Sequence, residues 1–433
     1  MVLAVADTDV PAPEPTRRGN PRRGSVQGPR RAELAIVLGL ITAIGPLSID
    51  MYLPAFPQIV ADFNVHSTQV QLSLTTCLIG LAVGQLTAGP LSDRWGRRRP
   101  VLVAVAAYAI FSLLCAIAPS APLLAFFRLL QGLAGGAGVV VARALVRDLY
   151  SGVQAAKFYS QLTLIFGVAP IAAPSLGSAV LRLTSWPGIF VTLGVLALLL
   201  TGLAAWRLPE TLPPARRSTG GLAGTARTAR TLFADKVYLG YALSQALAFA
   251  AMFGYIAGSP FVLQDGYDIS PTVFSLLFGL NAVGLIAASQ INRPLLDRFP
   301  PRSLLLASLA AETAAGGAVV VAAALGNLIA LAAALFLLVS TFGMIAPNAT
   351  ALALDRHPQG AGTASALLGG IQSVIGASVA PLVGIAAPGH GVPMAIAIVS
   401  AAVLALLSLL TLARPQSQTA ASPADSPAPR DLG

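Results

Sequence analysis

"GPLSDRWGRRRP", Gly89 to Pro100, is a short basic loop between two long apolar runs. It holds four arginines, one acid (Asp93) and two glycines, Gly89 and Gly96, that suit a tight turn. The runs beside it, about 70–91 and 99–118, each approach the roughly 20 apolar residues that a membrane span requires. A related loop, "RPLLDRFPPRS", Arg293 to Ser303, lies between two later runs. At an offset of 204 residues, Pro90, Leu91, Asp93, Arg94 and Arg98 meet Pro294, Leu295, Asp297, Arg298 and Arg302. "APSLG", Ala173 to Gly177, is echoed by "APLVG", Ala380 to Gly384, at an offset of 207. Such self-similarity predicts a chain built as two related halves.

Composition agrees with a membrane chain. Of 433 residues, 55% are apolar and 10% charged, against about 25% charged in a soluble domain. Twelve spans are predicted, at about 33–53, 70–91, 99–118, 122–146, 157–181, 187–207, 237–262, 271–292, 302–324, 327–352, 360–387 and 391–413. The longest interruption contains "PETLPPARRSTGGLAGTARTAR" and divides the spans six and six. The expected fold is an all-α membrane protein of two six-helix, pseudo-symmetric halves. Its organisation is a disordered basic cytoplasmic N-tail (1–32), an N-terminal bundle (33–207), a cytoplasmic linker (208–236), a C-terminal bundle (237–413) and a disordered cytoplasmic C-tail (414–433).

With the N-terminus in the cytoplasm, 25 of the 27 Lys and Arg fall on cytoplasmic segments. The net charge of +10 is thus topological and argues against nucleic acid as a partner. Residues 1–31 have no apolar core for a cleavable signal peptide. Cys77 and Cys115 both sit in apolar runs, and read as buried small side chains rather than a disulfide or metal framework. No nucleophile–base pair, metal cluster or phosphate loop suggests an enzyme or a cofactor. Parallel repeats of spans are a transporter design, with the substrate site between the halves near the midplane.

Several polar groups lie where they are expensive. Asp50, in "GPLSIDMYLPAFP", falls about four residues from the end of the first span, at a cost of about 2.5–3.5 kcal/mol if ionised. It either sits at the lipid–water boundary or serves a proton. Arg128, in "RLLQGLAGGAGVVVARALVRD", lies about 9 Å inside span 4 at the same depth as Asp50. It either snorkels or forms a proton-coupling site with Asp50. Gly132 and Gly136 make a small-xxx-small face. In span 5, "FGVAPIAAPSLGSAV", Pro170 and Pro174 each remove a backbone hydrogen bond, and Gly167 and Gly177 keep the helix thin. Tyr52, Gln131, Gln245, Phe253, Tyr255 and Asn281 are candidate cavity residues, and Glu312 is an unexplained acid near the middle of span 9.

The loop after span 2 resembles motif A of the major facilitator superfamily at Gly89, Leu91, Asp93, Arg94, Gly96, Arg97 and Arg98. Span 4 resembles motif B of the drug:proton antiporters at Arg128, Gln131 and Gly132, and span 5 resembles the exporter motif C, with Ala173 in place of the usual glycine. "SIDMYLPAFP", "GYIAGSPFVLQ", "FGMIAPNATALAL" and "AGTASALLGGIQSVIGA" resemble the Bcr/CflA drug-resistance subfamily over roughly residues 35–410. The resemblance implies the major facilitator fold and a monomeric, cofactor-free exporter in the bacterial cytoplasmic membrane. It would expel molecules such as bicyclomycin or chloramphenicol in exchange for protons. Asp50 and Arg128 would couple it to protons. Gly89, Asp93, Arg94, Gly96, Arg97, Arg98, Asp297 and Arg298 would serve the conformational switch, with Asp93 expected to dock on the start of span 11 when the cytoplasmic side closes, and Asp297 on the start of span 5. A metabolite:proton symporter and an exporter of cysteine or another metabolite are the alternatives.

Overall fold

In the computed structural model, residues 29–149, 169, 171–214, 217, 230–357, 361–384 and 391–413 are described. Among them the regular structure is helical, and eleven helices are long and apolar enough to cross a membrane. These are spans 1–4 and 6–12. Span 5 is represented by the shorter apolar helix Ile171–Leu183. Helices are what hydrocarbon permits, because each backbone N–H and C=O must be paired within its own segment.

Span 1 is longer than its sequence pattern suggests. It runs Ile36–Phe63, with a break in the middle. The helix Pro29–Asp50 stops, a 3-10 turn covers Leu53–Ala55, and a second helix occupies Phe56–Phe63. Proline chemistry explains the break. Pro54 and Pro57 carry no N–H for the carbonyls of Asp50 and Leu53, so the α ladder loses two bonds within one turn. The second helix ends at Asn64 in the left-handed conformation (φ 51°), with the Val65 N–H returning to the Val60 carbonyl. Span 7 also changes geometry near a proline. Its α-helix ends at Pro260 and a π-turn covers Phe261–Gly266.

The two halves pack by the same device. A Cβ on Gly80 or Gly84 of span 2 would collide with the carbonyls of Leu129 or Leu133 in span 4. Gly132 and Gly136 meet the Cys77 and Leu81 carbonyls in return. Spans 2 and 4 therefore touch backbone to backbone, as small residues allow. In the second half, Gly343 of span 10 meets the Leu285 carbonyl of span 8 in the same way.

Span 1 begins, and span 12 ends, at one face of the molecule, here the termini face. An ion pair of 2.7 Å joins Arg207 to Glu33 there, and Arg302 donates to the Ala413 carbonyl at 3.2 Å. Polar bonds between the halves lie toward the other face. Gln71 donates to the Ala257 carbonyl (3.1 Å), Thr75 to Ala377 (3.0 Å) and Ser275 to Pro174 (2.9 Å). The Phe56 and Phe261 rings meet at 5.6 Å in the same region.

Candidate functional site: a cavity between the halves

A cavity of about 270 Å³ lies between the halves. Asp50 faces it at the point where the first helix of span 1 stops. Thirteen residues of span 1, Met51–Phe63, follow Asp50, so it lies inside the span rather than at its end. No hydrogen bond or ion pair reaches its carboxyl among the described residues. From there the wall continues toward the termini face through Thr42, Gln85 and Arg143. The second half contributes Phe249, Phe253, Tyr255, Phe278, Asn281 and Gln372. The aromatic rings pair as Phe249–Phe253 and Tyr255–Phe278, each stacked at 5.7 Å. The Asn281 amide donates to the Tyr255 hydroxyl at 2.8 Å. The cavity is thus an aromatic slot with an acid at its deep end, suited to an amphipathic guest.

Of the residues predicted to line it, Phe253, Tyr255 and Asn281 do. Gln245 stands one layer back. It donates to Gln372 at 3.0 Å and accepts from Thr350 at 3.0 Å, fixing the amide that reaches the wall. Tyr52 and Gln131 do not line the cavity. Both are buried in the first bundle. The Tyr52 hydroxyl is 2.7 Å from that of Ser73, and Gln131 donates to Ser112 at 2.7 Å. Sequence gives the depth of these side chains but not their rotation about the helix axis. Arg143 and Gln85, which do line the wall, are not among the residues that the sequence singles out for it.

Arg128 is also in the first bundle and not on the cavity wall. It is fully buried, which removes the snorkelling reading. It is not ion-paired with Asp50 either. One Nη donates to the Ser48 backbone carbonyl at 2.8 Å, and the other to the side-chain Oε1 of Gln131. Its guanidinium carbon lies 4.9 Å from the Tyr52 ring centre and 5.6 Å from that of Phe190, within cation–π range. Ser48 is in the last turn of the broken helix, where carbonyls lack helical partners. Arg128 therefore caps the helix end that carries Asp50. Its charge also meets the negative end of that helix dipole. The Ser48 and Tyr108 hydroxyls, 2.6 Å apart, hold the same turn from the other side.

The stretch Gly89–Pro100 forms a second cluster, on the termini face; it is mostly helix rather than loop, since span 2 stays helical to Trp95 and span 3 begins at Arg98, leaving Gly96 and Arg97 as the turn. Arg97 is its centre. It pairs with Asp93 at 2.6 Å and Asp148 at 2.9 Å, and donates to Ser92 at 2.6 Å. Asp93 thus binds one turn along its own segment in this structure; residues 358–360, just before span 11, and residues 150–168, at the start of span 5, lie outside the described residues. Gly96 ends span 2 at φ +92°, a conformation that favours glycine. Glu210, in the segment after span 6, accepts from the N–H groups of Arg97 (2.8 Å) and Arg98 (3.2 Å). It caps the start of span 3. Burial would raise the Glu210 carboxyl, but these N–H groups, that of Leu212 and the Arg217 charge outweigh it and hold it below the usual range. Arg98 donates to the Ala205 carbonyl at 2.6 Å. Arg94, Asp297 and Arg298 are exposed.

In span 5, Gly177 lets the backbone of span 1 approach. A Cβ there would collide with the Met51 carbonyl, beside the break. Gly167 and Pro170 lie outside the described residues. Glu312 is fully buried in span 9, apart from the cavity wall, and neither carboxyl oxygen has a hydrogen-bond partner.

Comparison with known proteins agrees with this architecture. Residues 38–381 match the Major Facilitator Superfamily. The chain is 41% identical over 361 residues to the uncharacterized MFS-type transporter YdgK of Bacillus subtilis, covering 83% of this chain and 90% of that protein. It is 32% identical over 349 residues to a bicyclomycin resistance protein homolog of Haemophilus influenzae (80% and 88% covered). It is 30% identical over 379 residues to the multidrug resistance protein MdtL of Klebsiella pneumoniae (84% and 92% covered). Its fold is similar to that of a bacterial homolog of the lysosomal transporter Spinster, with a TM-score of 0.72 at 17% identity (89% and 98% covered). The nucleoside transporter NupG gives 0.73 at 11% identity (89% and 100% covered). The chain therefore belongs to the Major Facilitator Superfamily, a family of membrane transporters rather than enzymes, and within it to the Bcr/CflA drug-resistance branch.

Proposed function

We propose that this protein exports small amphipathic molecules across a bacterial cytoplasmic membrane in exchange for protons. The observation that carries the reading is Asp50: a carboxyl without a polar partner among the described residues, inside span 1, in the wall of a cavity between two pseudo-symmetric halves. A carboxylate there is costly when ionised and unpaired, so it exchanges its charge with whatever enters the cavity. A proton and a substrate that compete for one acid give exchange. With the termini in the cytoplasm, as the Lys and Arg distribution favours, the contacts between the halves lie on the outer side. The cavity then takes substrate from the cytoplasm. Closing that side while the outer contacts part would deliver it outward. The monomer holds both halves of the cavity and supplies every group named here. Similarity to a bicyclomycin resistance protein homolog and to MdtL supports export of drug-like compounds.

The test uses proteoliposomes holding the full chain, loaded with chloramphenicol or bicyclomycin. Uphill drug movement that collapses on adding a protonophore is expected. The Asp50→Asn protein should bind drug yet fail to move it uphill. Drug movement unaffected by the protonophore would overturn the exchange reading. Proton-driven uphill transport by Asp50→Asn would remove Asp50 from it.

A further inference from the structure

A second cavity, of about 410 Å³, lies on the side of the second half among spans 7, 8 and 10. Leu263 and Leu335 form its floor, 2% and 1% exposed. Leu280 and Leu337 form its rim, 53% and 56% exposed. Its span 8 and span 10 residues lie within ten residues of the starts of those helices, at Pro271 and Leu328. That puts them within roughly 15 Å of the face opposite the termini, at 1.5 Å per residue. At that depth the surroundings of an exposed leucine are lipid hydrocarbon. Among the described residues the lining has one polar side chain, Asn281, whose amide already donates to Tyr255. A water needs two to four polar partners to settle in a cavity, and apolar cavities take apolar guests instead. Asn281 lines both this cavity and the central one.

We infer that the side cavity binds an acyl chain of a membrane lipid, inserted between spans 8 and 10 until its end abuts Asn281. Leu280 and Leu337, exposed at the rim, border the buried floor at membrane depth, so the occupant comes from the bilayer. Its consequence is mechanical. Asn281, in the wall of both cavities and bonded to Tyr255 of the transport cavity, stands between them, and the bound chain supports it from behind. The inference needs only that the chain spans a membrane, and is independent of which substrate it carries.

The test is photolabelling of the full chain in nanodiscs made of a phosphatidylcholine with a diazirine midway along one acyl chain. Peptide mapping should find label on Leu263 and Leu335 as well as on the outward-facing Ile329. Ala333→Phe, at the cavity mouth, should lose the Leu263 and Leu335 label and keep that on Ile329. Should that variant not be monodisperse, Ala332→Leu serves the same purpose. Label confined to Ile329 and other lipid-facing side chains would overturn the proposal. Floor label that survives both substitutions would overturn it as well. A Leu263→Cys protein modified by a membrane-impermeant maleimide would show a wet cavity and would equally overturn it.

Discussion

The Arg128 guanidinium donates to the carbonyl of Ser48, two residues before Asp50, and leaves the Asp50 carboxyl open to the cavity. The acid and the base are therefore linked through a helix end and not as an ion pair. Two different Nη atoms reach two acceptors, Ser48 and Gln131, in the fixed geometry of a planar fork, which the compact ammonium of a lysine does not reproduce. Arg128→Ala is expected to abolish uphill export, and Arg128→Lys to lose most of it. Each lost charged hydrogen bond is worth about 1.5–3 kcal/mol, so both variants should melt earlier in detergent. A Lys variant with full transport would show that charge alone suffices.

Gly132 should tolerate no side chain. A Cβ there collides with the Cys77 backbone carbonyl, and backbone cannot swing aside as a side chain can. Gly132→Val is expected to cost upwards of about 1–3 kcal/mol and to reduce folded protein in the membrane. Gly317, which has open space around it, is the control. Gly317→Ala should change yield and melting temperature little.

Asp93 should matter more for transport than for stability. Its carboxyl is 43% exposed in the pair with Arg97, and exposed ion pairs are worth about 0.2–1 kcal/mol. Asp93→Asn is expected to melt almost as the parent does while its transport slows. A single cysteine in the termini-side half of the cavity should react faster in that variant if Asp93 helps to close that side. Lost drug binding with unchanged labelling would make Asp93 part of the substrate site instead.

Asp235 predicts a pH dependence. It caps span 7, accepting from the Val237 N–H at 2.9 Å, and pairs with Arg356 at 3.0 Å and His357 at 2.9 Å. Burial alone would raise its carboxyl, but Arg356, the Tyr238 N–H, His357 and the Val237 N–H together hold it below the usual range. A carboxyl lowered in the folded state stabilises fully above its unfolded value of about 4, and that contribution fades as pH falls through the folded value. Asp235→Asn should therefore melt below the parent at pH 7, with the gap closing below about pH 4. A gap that does not change with pH would assign the effect to the neutral hydrogen bonds of the cap.

Hydropathy and repetition alone determined much about this protein. Twenty-residue apolar runs leave a chain few options in a bilayer, and a doubled basic loop marks two related halves. The residues of "GPLSDRWGRRRP" and the glycines of span 4 announced a turn and a close contact, and both are present. Tertiary structure decided everything that depends on rotation about a helix axis. A helix that is apolar on nearly every side gives little sign of which face turns inward. Tyr52 and Gln131 thus fall in the bundle core, while Arg143 and Gln85 fall on the cavity wall. It also decided contacts between segments distant in sequence. Glu210 caps a helix that begins 112 residues earlier, at Arg98, and Arg128 holds a carbonyl 80 residues away. Span 1 shows both limits at once. The apolar pattern ends span 1 near residue 53, yet neighbouring spans hold Phe56–Phe63 as its continuation, and that packing puts Asp50 inside the span rather than near its end.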